Sequence, residues 1–157
     1  MGSPDNFDWG ALLGRVFGSA RSEEEILRQL AAADPEIEQV VAAGMAVYGE
    51  LGHGYVPGVY RDALAIECEE RGIPFARNVP VHVRYRGHAI DSGFQADFVC
   101  HGDILAIVKT VDALDKPDDL ELINHLKATG YRRGLTLNFG LQRFEFRRIV
   151  GPAKPAP

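Results

Sequence analysis

Apolar residues recur along the chain with two different periods, and the points where the period changes divide it into elements. Trp9, Leu12, Leu13, Val16 and Phe17 fall at i, i+3, i+4, i+7 and i+8, the spacing of one apolar helix face. Gly18 and Ser19 interrupt it. Ser22 with Glu25 is a capping-box signature that opens a second short helix through Leu30. Residues 1–33 are therefore expected to form an amphipathic helical extension. Asp34-Pro35-Glu36 then joins an N-cap, a proline at the first helical position and an acid in the first turn, a strong helix start. Ile37, Val40, Val41, Tyr48 and Leu51 supply its apolar stripe, and Gly52-His53-Gly54 ends it. Another helix is predicted from about Gly58 to Arg71, with Gly72 where a left-handed cap is wanted.

Beyond Gly72 the period shortens to two. Val79, Val81, Val83 and Tyr85 alternate with polar residues, turn at Arg86-Gly87 and return through His88–Ile90, a hairpin pattern. Phe94–Cys100 and Ile104–Val111 form a second pair around His101-Gly102-Asp103. The run Ile104–Val111 is apolar on both faces apart from Lys109, as a central strand would be. A helix from about Pro117 to Thr129 follows, capped by Gly130, and Leu135–Phe139 and Phe144–Val150 close the domain as strands. The order α–α–β–β–β–β–α–β–β, without internal repeat, predicts an α/β fold, bordering on α+β: one mixed sheet flanked by helices. Residues 34–150 are the domain. Residues 151–157, GPAKPAP, are too rich in proline and alanine to pack and read as a disordered tail.

Composition agrees with a soluble globular domain: 157 residues, 46% hydrophobic and 25% charged. No apolar run approaches the roughly 20 residues of a membrane span, and the first residues lack a secretory signal, so a cytoplasmic protein without membrane contact is expected. Cys68 and Cys100 offer no disulfide framework and read as reduced, half-buried thiols. The net charge is −5, which argues against unspecific nucleic-acid affinity. Locally, though, residues 131–150 gather Arg132, Arg133, Arg143, Arg147 and Arg148 against Glu145 alone. Arg143, Arg147 and Arg148 are the candidates for a nucleic-acid contact, set against the plainer reading of a strand's solvent side.

Lys109 is the chemical anomaly, because an unpaired ammonium in an apolar strand is costly. Asp97, on the preceding strand, comes near the same end if the two strands pair through the turn at 101–103. A structural ion pair would explain both residues. So would a metal-dependent phosphodiesterase site, in which carboxylates hold Mg²⁺ and a lysine steadies the attacking hydroxide. His53, His82, His88, His101 and His125 show no zinc-ligand spacing and are expected to be surface or turn residues.

A resemblance bears on this choice. Glu50–Gly54, Val59–Leu64, Arg71–Phe75, Ala96–Val99, the Lys109 strand, His125–Gly130 and Leu137–Gly140 appear in order. In these the chain resembles the GxxExxY family of the PD-(D/E)XK nuclease-like superfamily, which implies a restriction-endonuclease-like sheet. The first 33 residues have no counterpart in that pattern. In the family's name motif Gly54 and Tyr60 match, but Pro57 holds the glutamate position. In its E-x-K, Lys109 matches, but Ile107 holds the glutamate position, and the glutamine usual on the next helix is Glu121. Isoleucine offers Mg²⁺ no oxygen, so metal affinity should fall steeply. Some restriction endonucleases of this superfamily draw their second carboxylate from the helix after the lysine. Glu121, twelve positions after Lys109, is placed for that, on the boundary of the Leu122/Leu126 stripe.

Two functions follow as expectations. The first is a catalytically silent nuclease fold, without cofactor, acting as a protein-binding or assembly module. Its extension would engage a protein partner or a second copy through Trp9, Leu13, Val16 and Phe17. The second is a Mg²⁺-dependent nuclease acting on nucleic acid, with Asp97, Lys109 and Glu121 catalytic and Asp97 and Glu121 as metal ligands. The first is preferred, because two expected carboxylates are gone.

Overall fold

The first two helices of the described chain begin at capping side chains. In the structure, a computed structural model that describes residues 22–91 and 93–151, helix α1 spans Glu23–Ala33. Ser22 Oγ accepts the Glu25 N–H at 3.2 Å, and the Glu25 carboxylate accepts the Ser22 N–H at 3.3 Å, the reciprocal box that the sequence implies. Helix α2, Pro35–Leu51, begins where the Asp34 carboxylate accepts the N–H groups of Glu36 and Ile37, each at 3.2 Å. Helix α3 spans Pro57–Glu70 and is followed by Gly72 at φ +70°. α2 buries Ile37, Val40, Val41, Ala43, Gly44 and Val47, while Tyr48 and Leu51 of the expected stripe are half-buried. α1 adds Leu30, with Ile26 and Leu27, to the same core. The helix expected over residues 9–17 and the tail from 152 onward lie outside the described residues.

Strands β1 Phe75–Pro80, β4 Gln95–Cys100, β5 Ile104–Lys109, β6 Arg133–Phe139 and β7 Phe144–Val150 form one sheet in the order β1-β4-β5-β6-β7. Strands β2 (Val83–Tyr85) and β3 (His88–Ile90) pair only with each other. β5 is central, as its apolar run implies, and its pairing with β6 is the sole parallel one in the described sheet. A parallel neighbour needs a crossover. Helix α4, Lys116–Thr129, supplies it and stops at Gly130, which takes the left-handed conformation at φ 82°.

Both faces of the sheet are covered. Ile104, Ala106 and Val108 pack with α2 and α3; Leu105 and Ile107 pack with Leu122, Ile123 and Leu126 of α4. Alternation along β5 therefore assigns Lys109 to the α4 face. Cys68 and Cys100 are both buried and free, more deeply than the half-burial expected.

The hairpin pattern is realised differently from its sequence reading. The alternating stretch Val79–Tyr85 is not one strand. Pro80 pairs with Gln95 at the end of the β1–β4 ladder, and one further bond, Val81 N–H to the Phe94 carbonyl, completes it. Proline has no N–H to carry a ladder on. The chain then leaves the sheet at Val81, which is buried, and β2 and β3 stand apart as an arm turned by Arg86 (φ 50°) and Gly87 (φ 80°). Two positive φ values in a two-residue turn match the right-handed twist of paired strands. All six strand residues of the arm are exposed, so its alternation marks no core face.

Candidate functional site

Lys109 ends β5, half-buried, with its side chain on α4. Its ammonium lies 3.4 Å from Asp118 and forms a closer ion pair with Glu121. Burial alone would lower the Lys109 pKa, but hydrogen bonds and charge from Glu121 and then Asp118 outweigh it and hold the group above its ordinary value. Asp118 serves two ends at once: its second oxygen accepts the Asp115 N–H at 3.0 Å and so caps α4. Glu121 sits beside the buried Leu122 and turns back to the strand end, as the boundary position allowed.

Asp97 is on the neighbouring strand at the same end of the sheet, as expected, yet it is engaged elsewhere. The β4–β5 ladder stops at Phe98 and Ala106, and the β1–β4 ladder omits the pair Asn78/Asp97, where Asn78 takes φ 52°. In the gap the Asp97 carboxylate accepts the Val108 N–H at 2.8 Å, and its other oxygen lies 3.7 Å from Arg61 of α3. The acidic partner of Lys109 therefore comes from α4, and the structural Asp97–Lys109 pair considered from the sequence is not formed. The physical reason is that Lys109 alternates onto the α4 face, while Asp97 is drawn into the strand gap towards α3.

Mg²⁺ requires several oxygen ligands in near-octahedral array. Ile107, only 5% exposed and packed with Leu122 and Ile123, presents an alkyl side chain two residues before Lys109 on the same strand face and offers no oxygen. Asp97 is committed to a backbone N–H and Arg61, and Glu121 to Lys109. No group of three or more His, Cys, Asp or Glu among the described residues is arranged to hold a metal ion. As arranged, this donor set does not fit the ion.

The three candidate arginines, Arg143 just before β7 and Arg147 and Arg148 on it, do not share one surface. Thr136 pairs with Arg147 and Leu135 with Arg148, so these two arginines point to opposite faces of the sheet. Arg147 Nε lies 3.0 Å from Asp119, and its Nη2 donates to the Leu114 carbonyl at 3.0 Å. Arg143 is largely exposed, 3.7 Å from Glu145. Of the basic cluster, Arg133 is the most engaged: Asp103, Glu36 at 2.9 Å and Asp34 at 3.1 Å surround it. Burial works against its charge, but the three carboxylates raise its pKa well beyond the ordinary arginine value.

Two histidines are more than surface residues. His125 is 6% exposed, with Nδ1 2.7 Å from the Glu121 carbonyl, and His101 lies 3.1 Å from Glu36 and 3.0 Å from Gln39. The i, i+4 spacing of His125 from Glu121 was the one sequence signal for its bond; nothing local marks the Asp119–Arg147 pair.

No helix among the described residues is long and apolar enough to cross a membrane. In comparisons with known proteins, the family model of the PD-(D/E)XK nuclease superfamily matches residues 34–149. No curated protein matches. Among solved structures, the crystal structure of SSO0001 is similar at 12% identity and a TM-score of 0.43, covering 93% of this chain and 76% of that one.

Proposed function

Since the chain belongs to the PD-(D/E)XK nuclease superfamily, we propose that it is a catalytically silent member that works by binding and not by cleaving. One observation carries this reading: the residues at the site's positions neutralise one another. Lys109 is met by Glu121 and Asp118, Asp97 is tied to Val108 and Arg61, and Ile107 stands where an oxygen is needed. A lysine already matched by two carboxylates offers little to a phosphodiester whose negative charge must be stabilised. Within the superfamily, the motifs favour the GxxExxY branch, with Pro57 and Ile107 as departures from its pattern. In this reading Trp9, Leu13, Val16 and Phe17 supply the contact with a protein partner or a second copy.

The test is calorimetric titration with Mg²⁺ and Mn²⁺ beside cleavage assays on DNA and RNA, using Asp97→Ala as control. The expected result is no saturable heat and no cleavage above the control. Metal-dependent cleavage that Asp97→Ala abolishes would sink the silent reading.

The nuclease reading keeps one observation in its favour: Glu121 does face the strand end. It needs Glu121 to leave Lys109 and share a cation with Asp97. Glu121→Gln restores the usual family residue at nearly constant size. A nuclease would lose its activity with this change, and a silent module would lose none.

A further inference from the structure

The arm of β2 and β3 carries an apolar face with no core beneath it. Val83 and Tyr85 alternate onto one side of the hairpin, and Ile90, the cross-strand partner of Val83, joins them there. Between the arm's base and α4 runs a cleft of about 850 Å³, with Val81, Val83, Pro117 and Leu120 in its lining. Val83, Tyr85, Ile90, Phe94 and Leu120 are five of the ten large apolar side chains exposed among the described residues. Their gathering on the arm and cleft marks a contact surface. The arm is also of one sign: residues 81–90 carry His82, Arg84, Arg86 and His88 and no acid. Arg84 reaches the Gly87 carbonyl at 3.5 Å, and the Arg86 guanidinium lies over the Tyr85 ring, 5.3 Å from its centroid. Neither arginine meets a carboxylate among the described residues.

From these features we infer that the arm and cleft seat the N-terminal segment of a second copy of this chain, two copies exchanging segments about a two-fold axis. Complementarity names the occupant. Trp9, Leu12, Leu13, Val16 and Phe17 share one apolar face by their spacing, which suits the apolar lining. Asp5 and Asp8 lead into that face and Glu23, Glu24 and Glu25 follow it, against Arg15 and Arg21 alone. These acids answer the acid-free arm, Asp5 and Asp8 falling to Arg84. Reach separates a second copy from the chain's own segment. Helix α1 packs on α2, which lies over β6 and β7, whereas the cleft opens beside Val81, after edge strand β1, on the α4 face. From β6 to β1 is three strand spacings, about 14 Å. The path must also pass a helix layer about 10 Å thick on each face of the sheet. The five steps from Phe17 to Ser22 span at most about 18 Å. A chain therefore cannot bring Phe17 into its own cleft, and a neighbouring copy can. Trp9 and Phe17 bury about 400 Å² between them. With the walls they cover and the two-fold repeat, the contact comes to about 1,600 Å², the size of a stable interface. Such an exchange closes on itself and leaves no open end. The inference rests on the binding-module reading and names both its partner and the surface that receives it.

The experiment is sedimentation equilibrium of the full chain over a wide concentration range, with and without EDTA. A dimer of twice the chain mass is expected in both. Leu120→Asp in the cleft, and Trp9→Ala with Phe17→Ala on the segment, should each weaken dimerisation at least about tenfold. Combined in one chain, they should cost less than the sum of the two losses, because they break the same contact. Arg84→Glu should weaken the dimer about fivefold, and adding Asp5→Arg and Asp8→Arg to that chain should restore it. Leu141→Asp, at an exposed apolar residue in the β6–β7 turn, should dimerise as wild type does. Circular dichroism of every variant should match the wild type, since the changed positions lie outside the core. A wild type that stays monomeric at every concentration overturns the inference, including one whose own segment shields its cleft. So does a dimer that survives either Leu120→Asp or the segment changes, or a charge exchange that restores nothing. Loss of the dimer with the segment changes but not with Leu120→Asp would show the seat to be wrong while the segment remains a docking element. Metal-dependent cleavage, assayed separately, would defeat the silent reading and leave the dimer untouched.

Discussion

Lys109 keeps its charge at the edge of the core because two carboxylates of α4 come to it. Replacing it with methionine leaves Glu121 and Asp118 facing each other across an apolar side chain. Lys109→Met should therefore cost about 1–2 kcal/mol at neutral pH, measured by urea unfolding. The folded-state pKa is raised, so this stabilisation is fully present below the unfolded value of about 10.4 and lost as pH climbs through the folded one. The gap between wild type and Lys109→Met should accordingly close in alkaline solution. A gap that stays constant up to about pH 11 would locate the effect in packing and not in the ion pair.

At the scale of elements, close contact between α4 and β6 depends on a missing side chain. A Cβ on Gly134 would lie 2.8 Å from Leu126 Cδ1 and 3.0 Å from Leu122 Cδ1. Both leucines belong to the buried stripe of the helix. Gly134→Ala should destabilise by about 1–3 kcal/mol, because α4 must shift away from the sheet. Gly49, in the last turns of α2, is the contrasting case, with nothing within 4 Å of an added Cβ. Gly49→Ala should gain about 0.5–1 kcal/mol through reduced backbone freedom. Thermal melts of the pair decide the point: a shift for Gly134→Ala as favourable as that for Gly49→Ala would mean that reduced backbone freedom, and not the α4–β6 contact, controls both.

The whole molecule is tied across distant segments by Arg133, which joins Asp34 and Glu36 at the start of α2 to Asp103 in the β4–β5 turn. With α1 packed on the core through Leu30, residues 22–151 hold a complete two-faced sheet. Deleting residues 1–20 should thus leave a cooperative melt close to that of the full chain. In our reading, the same deletion abolishes association with a partner or a second copy, followed by sedimentation. Loss of the cooperative transition on truncation would make that segment part of the core and end the docking idea.

What the sequence determined by itself is local. The capping box at Ser22, the Asp34 start, the glycine stops at Gly72 and Gly130, the Arg86-Gly87 turn and the central place of β5 are all carried by residues within a few positions of one another, where hydrogen bonds and periodicity act directly. The same reasoning placed Lys109 and Asp97 on adjacent strands and Glu121 at the margin of its helix stripe. It could not choose among partners. Lys109 pairs with Glu121 and not Asp97 because the two faces of the sheet are filled by different helices, a matter of three-dimensional register. Val83–Tyr85 alternates like a buried strand, but only the tertiary structure, with Pro80 ending the ladder, decides that no core lies beneath it. Arg147 and Asp119 meet for the same reason: strand β7 and helix α4 are distant in sequence and packed on one face. Interactions across such distances depend on how elements dock, and a single sequence records the elements more plainly than their docking.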